Sequence, residues 1–510
     1  MLRHGGQILV DQLVRLGVRR VFSVPGESFL AALDGLYDAG IDNIVCRQEG
    51  GVAMMAEAYG KMTGQPGVAF VTRGPGATNA SAGIHIAMQD STPMVLFVGQ
   101  IRAEDRDREA FQEVDYKAMF GSLCKWVTEV NHTERLPEYI ARAFSVAVSG
   151  RPGPVVLALP EDMLSALADV AESRAPVVEL APDLDGVAQD ALQWLSGFER
   201  PLVVVGGPHW STQAAEDLGT FAATQDLPVA LGFRRQDYID NRHPNYAGDL
   251  NVGVNPELAQ RVRDADALLV IGSRLGDIET QGYSLVDPAD PHCAILHVHA
   301  DPDEAGRVYH PDLAVTADAI SFTRALSRLP ACGRDWASWT KSARADYDRW
   351  KTPHETPGDV KLEQVISWLS ANLPEDAILT NGAGNYAAFL HRYFVYKGYG
   401  TQLAPTSGSM GYGFPAAVSA SLEHPDRTVV CLAGDGCFQM TCNELSSAKQ
   451  HGATPIVIVM DNGRYGTIRM HQEKTYPERV SGTEIENPDF SMLARAYGFH
   501  GERVETTADF

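Results

Sequence analysis

Two short apolar runs end in acid, amide and glycine: "LAGDG" at 432–436 and "VMDNG" at 459–463. Gly, Asp and Asn are ordinary turn residues, so either tip alone says little. Together they supply one carboxylate, Asp435, and one amide oxygen, Asn462. That pair is a poor all-protein metal cage but a good partial site for Mg²⁺, which keeps positions open for phosphate oxygens and water. Gly434 and Gly436 let backbone approach those oxygens, and a helix starting there favours the anion. The chemistry indicated is a magnesium-assisted grip on a diphosphate. A further carboxylate, Glu49 in "CRQEGGVAMMAEAYGKMTG", follows a strand and heads a helix. By position it is either a helix-start acid favoured by the dipole or an acid–base group.

Elements must bring these groups together. Val/Ile/Leu-rich strands alternate with helical segments in three blocks, which implies α/β architecture with doubly wound parallel sheets. The strands of the first block are "VRRVFSVPGES", "DNIVCRQEGG", "GVAFVTRGPGATN", "PMVLFVGQ" and "GRPGPVVLALPED". The second has "PLVVVGG", "LPVALGF", "ALLVIGSRLGD" and "CAILHVHADPDE"; the third has "AILTNGAGN", "TVVCLAGDG" and "PIVIVMDNG". The expected domains are 1–165, 190–330 and 358–510, with 161–190 an Ala-, Pro- and acid-rich linker. Consecutive parallel strands end at one sheet edge, so Asp435 and Asn462 are expected near one another. The last strand and "VETTADF" leave the third block short, and it is expected to continue beyond 510.

Composition bounds the partners. The 510 residues carry a formal charge of −23, which disfavours nucleic acid and anionic membranes. No apolar run is long enough to span a bilayer, and the amphipathic N-terminus is not a signal peptide. Seven scattered cysteines lack paired C-x-x-C spacing and fit a reducing cytoplasmic setting. Cys437 and Cys442 read as buried thiols.

The "GDG…N" spacing resembles the signature of thiamine-diphosphate enzymes. The three-block layout is similar, over nearly the whole chain, to the acetolactate synthase, pyruvate decarboxylase and benzoylformate decarboxylase superfamily. The resemblance implies pyrimidine-binding, central and diphosphate-binding domains, in that order. It implies that Asp435, Asn462 and the Arg464 carbonyl ligate Mg²⁺, and that Gly434 and Gly436 lie against the diphosphate. Glu49 would share a proton with N1′ of the aminopyrimidine. In "TSGSMGYGFPAA", the Gly408 carbonyl would accept from the 4′-amino group and Met410 would wedge between the rings. Gly74, Gly76 and Asn79 in "RGPGATNASAG" would be turn-forming architecture.

Subfamily features pull two ways. "REAFQEVDYKAMFG" resembles acetolactate synthases, where Phe111 and Gln112 approach the substrate pocket. Glu27 instead stands where decarboxylases have an acid, and it is expected partly desolvated, as a proton-managing group or as a helix-start carboxylate. Ile468 replaces the decarboxylases' second glutamate, while Arg469 and His471 read as surface residues or as partners of an acidic substrate. FAD is possible through the central block, with Arg274 at a plausible position, but "GFRRQDYIDNRHPNYAGDLNVG" departs from the flavin-side pattern.

The implied activity is decarboxylation of a small 2-oxo acid and transfer of the acyl unit to a carbonyl acceptor. The alternatives are a simple 2-oxo acid decarboxylase or carboligase/lyase, and a non-catalytic cofactor-binding relative. The resemblance also implies active sites shared between subunits of a homodimer or homotetramer.

Overall fold

The computed structural model describes residues 2–174 and 184–510. Two compact units form: one holds the N-terminal block with 380–383 and 405–501, the other holds the central block with 384–404 and 502–510.

In the first unit, six parallel strands lie in the order Asp42–Val45, Arg20–Ser23, Gly67–Val71, Met94–Gln100, Pro154–Pro160, Trp126–Glu129. The inner strands Met94–Gln100 and Pro154–Pro160 are buried at every position, because helices cover both faces of a parallel sheet. Helix Glu49–Thr63 is buried from Gly50 to Gly60. It packs on helices Pro75–Asp90 and Gly413–Glu423, and small residues permit the approach. A Cβ on Gly83 would fall 2.3 Å from that of Ala53.

A buried polar cluster ties this helix to the loop before Gly413. Glu57, wholly buried, pairs with Lys61 at 3.1 Å and accepts from the Thr92 and Tyr412 hydroxyls. Burial raises its proton affinity against the pull of Lys61. Lys61 also bridges to Asp90, whose carboxylate takes both the backbone and the hydroxyl of Thr406. Residues 405–412 are thereby held from both ends.

The expected linker is only partly a linker. Glu161–Ser165 is a helix that buries Met163 and Leu164, and Leu167–Ala168 pairs antiparallel with Arg3–His4. Two apolar side chains suffice to dock a segment whose composition otherwise reads as loop. Helix Asp185–Leu195 likewise buries Ala188, Ala191, Leu192 and Leu195 in the central core. The stretch 175–183 lies outside the described residues.

The central unit repeats the architecture, with parallel strands in the order Tyr246–Asp249, Val229–Leu231, Pro201–Val205, Ala267–Ile271, Ala294–His299, Leu313–Thr316. Helix Ala337–Trp350 packs Thr340, Ala343 and Tyr347 inward. In the third block, strand Val429–Gly434 pairs parallel with Ile456–Met460, and Gly434 stands opposite Met460.

Candidate functional site

That register decides where the acid and amide fall. Helix Asp435–Gln439 starts directly from its strand with Gly434 as N-cap, so Asp435 emerges beside the tip Asp461–Asn462. Asp435 is 3 % exposed. Its Oδ1 accepts from the Gly436 N–H at 2.8 Å. Its Oδ2 accepts from the N–H groups of Gly463 at 2.8 Å and Asn462 at 3.2 Å, and from Asn487 Nδ2 at 2.7 Å. No basic side chain pairs with it among the described residues, so a buried carboxylate stands on neutral donors alone. Such a group is costly to bury unless a cation joins it.

The surrounding oxygens are of the right kind. Asn462 Oδ1 accepts from the Arg464 N–H, and the Arg464 carbonyl accepts from Gly466, leaving that carbonyl a second lone pair. The loop is braced from outside: Tyr465 N–H donates to the Thr483 carbonyl and Ile485 N–H to that of Gly463. Carboxylate, amide oxygen and carbonyl form a hard donor set that fits Mg²⁺. Gly436 must be glycine, since a Cβ would lie 2.6 Å from the Tyr465 ring. Nearby positions of the same unit hold Asn381 Oδ1 and Ser407 Oγ buried with no partner. Cys437 Sγ accepts from Gly411 N–H at 3.2 Å, beneath the chain.

Asn487 escaped the sequence reading. Its amide bridges Asp435 Oδ2 and Asp461 Oδ1 (2.6 Å), and Gln439 Nε2 holds its oxygen at 2.8 Å. The only available signal was an Asn before Pro in "ENPDF", which also reads as a plain turn. Removing such an outer partner commonly weakens metal binding about 10–100-fold. Asn487→Ala is expected to do so, and Mg²⁺ titration of cofactor binding reads it; unchanged Mg²⁺ dependence would remove Asn487 from the site.

A second group gathers at the head of helix Pro75–Asp90. Glu49 opens helix Glu49–Thr63, and its Oε2 accepts from Asn79 Nδ2 at 2.9 Å. Gly76 approaches closely enough that its Cβ would stand 3.3 Å from Glu49 Oε1. Asn79 and Gly76 are therefore helical residues facing Glu49, not turn formers; only Gly74, at φ +59°, makes the turn. The loop bearing Gln112 (φ +66°) packs over Gly74, where a Cβ would meet Gln112 Cβ at 2.7 Å. Phe111 beside it is 76 % exposed.

Glu444 positions this group from the third block. Wholly buried, its carboxylate accepts from the N–H groups of Arg47 (3.2 Å) and Gln48 (3.0 Å), immediately before Glu49. Burial pushes its carboxyl up, while Ser447 and those amides pull it back. In the sequence Glu444 is indistinguishable from a helix-start acid. No hydrogen bond joins Glu49 to the Asp435 group among the described residues.

Gly408 adopts φ +66° in a turn with open space around it, and Met410 is half-buried. Glu27 is exposed, on a short 3₁₀ turn lining a cleft of about 370 Å³ with Arg102, Glu161 and Asp162. In the single chain its carboxylate faces solvent. Arg469 is taken by Glu473 at 3.0 Å, while His471 and Ile468 are exposed.

The central unit bears on the flavin expectation. Its strand order reverses between Pro201–Val205 and Ala267–Ile271, the crevice where such sheets take ligands. There Trp210 Nε1 donates to the Gly206 carbonyl and Tyr238 hydroxyl to that of Gly207. Glu279, half-buried, has its proton affinity raised by desolvation against the pull of Arg235, and accepts from Ser273, Gly276 and Phe233. Arg274 is paired with Glu304 at 2.9 Å.

Comparison with known proteins places the chain in a family. Three family models match: the thiamine pyrophosphate enzyme N-terminal TPP binding domain over residues 3–119, the central domain over 188–326, and the C-terminal TPP binding domain over 382–510. The chain belongs to the thiamine pyrophosphate enzyme family. Glu49 falls in the first of those matches, and Asp435, Asn462 and Asn487 in the last. The chain is 32 % identical to the acetolactate synthase isozyme 2 large subunit of Escherichia coli K12, covering 98 % of this chain and 91 % of that one. It is 31 % identical to the isozyme 3 large subunit of the same strain, over 98 % and 89 %. With the mitochondrial acetolactate synthase catalytic subunit of Saccharomyces cerevisiae it shares 30 %, over 98 % and 77 %. It is thus a thiamine-pyrophosphate-dependent enzyme of acetolactate synthase type.

Proposed function

We propose that this enzyme decarboxylates a small 2-oxo acid and passes the acyl unit to a second carbonyl compound, using thiamine diphosphate held through Mg²⁺. The observation that carries the reading is the buried Asp435 carboxylate at the start of a helix, fed by N–H donors and with no basic side chain paired to it among the described residues. Asp435, Asn462 and the Arg464 carbonyl would hold the metal. When bound, thiamine diphosphate supplies an electron sink for the carbanion left by decarboxylation.

The chain's own residues do the rest. Glu49 would share a proton with the pyrimidine N1′ through Oε1, since Oε2 is engaged by Asn79. Glu444 fixes the backbone that presents it. Gly408 and Met410 lie on the segment pinned by Asp90 and Glu57, which favours a fixed cofactor conformation. Gln112, beside Gly74, is the side chain from the third chain segment at the pyrimidine end. Flavin has no part in this reading, and Glu27 is left outside it.

Release of CO₂ from a panel of 2-oxo acids tests the proposal. Turnover should require both thiamine diphosphate and Mg²⁺; consumption that ignores either would overturn it.

The same reading places the paired groups of one active site on two copies of the chain, in a homodimer or homotetramer. No helix among the described residues is long and apolar enough to cross a membrane. All seven cysteines are free, which supports a reducing cytoplasmic setting. Sedimentation at assay concentration should show at least a dimer, and a fully active monomer would refute the shared site.

A further inference from the structure

The central unit contains a cavity of about 170 Å³ that the thiamine chemistry does not use. Three elements of that unit enclose it: the end and loop of strand Tyr246–Asp249, helix Ala337–Trp350 and helix Tyr386–Tyr393. At ~30 Å³ per water it has room for about five or six. Three lining side chains have requirements that the protein does not meet.

Asp249 ends the strand at 9 % exposure. Asn251 Nδ2 contacts its carboxyl, yet no cation pairs with it among the described residues. Desolvation drives its pKa up to about 8.

His391 is 7 % exposed. Its Nδ1 stands 2.7 Å from Gln236 Oε1, which also accepts from Gln402 Nε2, while Gln236 Nε2 donates to the His391 carbonyl. That network makes Oε1 the acceptor, so Nδ1 carries the ring proton and Nε2 is a bare lone pair. Burial lowers the ring's pKa to about 3, which keeps it neutral. Nε2 is buried with no partner, and such an acceptor calls for a donor.

Arg392 lies over the Trp350 ring, 3.8 Å from its centroid, with Nε donating to the Trp350 carbonyl at 2.8 Å. It meets no carboxylate among the described residues.

A cavity with an unpaired acid and a bare lone pair at one place and an unpaired guanidinium at another matches a molecule carrying both charges. We propose that it is a binding site for a small zwitterion of amino-acid size. The ammonium goes to Asp249 and His391 Nε2, and the carboxylate goes to Arg392. Water would answer the histidine but would leave the Arg392 guanidinium without a counter-charge. A plain carboxylate answers only Arg392, and a plain amine answers only the other two.

Calorimetric titration of the full chain with glycine, alanine and serine tests this without reference to turnover. Acetate, propionate and ethylamine serve as single-charge probes. The amino acids should bind, and each single-charge probe should bind at least about tenfold more weakly, as expected when one partner of a buried charge contact is missing. Asp249→Asn and Arg392→Gln should each weaken amino-acid binding by at least about tenfold. Absence of amino-acid binding at millimolar concentration would overturn the proposal, as would equal binding of either probe type. Wild-type affinity in the variants would do the same. If Asp249→Asn does not fold, Arg392→Gln and the probe comparison still decide.

Discussion

Asp435→Ala is expected to abolish Mg²⁺-dependent binding of thiamine diphosphate. Asp435 is the charged ligand of the proposed metal set, and its carboxylate also organises the second tip. The Asn462 and Gly463 amides and Asn487 all converge on Oδ2. Losing it removes the anion that faces the cation and releases three donors that held the loop in place. Titration of the cofactor into the variant at fixed Mg²⁺ reads the outcome. Wild-type affinity would show that the metal is held elsewhere. Asp435→Asn separates charge from shape: it keeps an oxygen for the backbone amides, and it should still bind far less metal.

Glu49→Gln should separate chemistry from binding. Glu49 stands at the head of helix Pro75–Asp90, bonded to Asn79, with no link to the Asp435 group among the described residues. Cofactor affinity should therefore stay within about tenfold, while exchange of the thiazolium C2 hydrogen slows by roughly 10²–10⁴, the range of acid–base groups. A glutamine keeps the Asn79 contact possible but cannot share a proton with N1′. Wild-type exchange rates in this variant would reduce Glu49 to a helix-start carboxylate.

Much of this site was legible because its chemistry is local. Gly-Asp-Gly after one strand and Asp-Asn-Gly after the next are fixed by parallel register, and Gly434 indeed stands opposite Met460. Asn487 and Glu444 were not legible. Each acts across long sequence separations on a backbone or carboxylate that only the folded chain brings near. Nothing local distinguishes them from a turn residue and a cap.

The fold shows the same division. The inner strands, apolar on both faces, announce themselves. The edge strands Trp126–Glu129 and Leu313–Thr316 were missed, because half-exposed positions dilute the apolar signal. Tyr246–Asp249 was missed for another reason: "YAGD" is buried throughout, yet carries a glycine and an acid. Its acid lines the cavity of the central unit. Glu27 differs again: the expectation for it came from a resemblance to decarboxylases, and in the single chain a 3₁₀ turn presents it to solvent.

The most direct measurement is ¹³C NMR of the products formed from one 2-oxo acid labelled at its carbonyl carbon, with thiamine diphosphate and Mg²⁺ present. The account predicts that the label appears bonded to a carbon derived from a second carbonyl compound, and only when cofactor and metal are both supplied. Label recovered entirely as free aldehyde, or a labelled substrate left unconsumed, would contradict it.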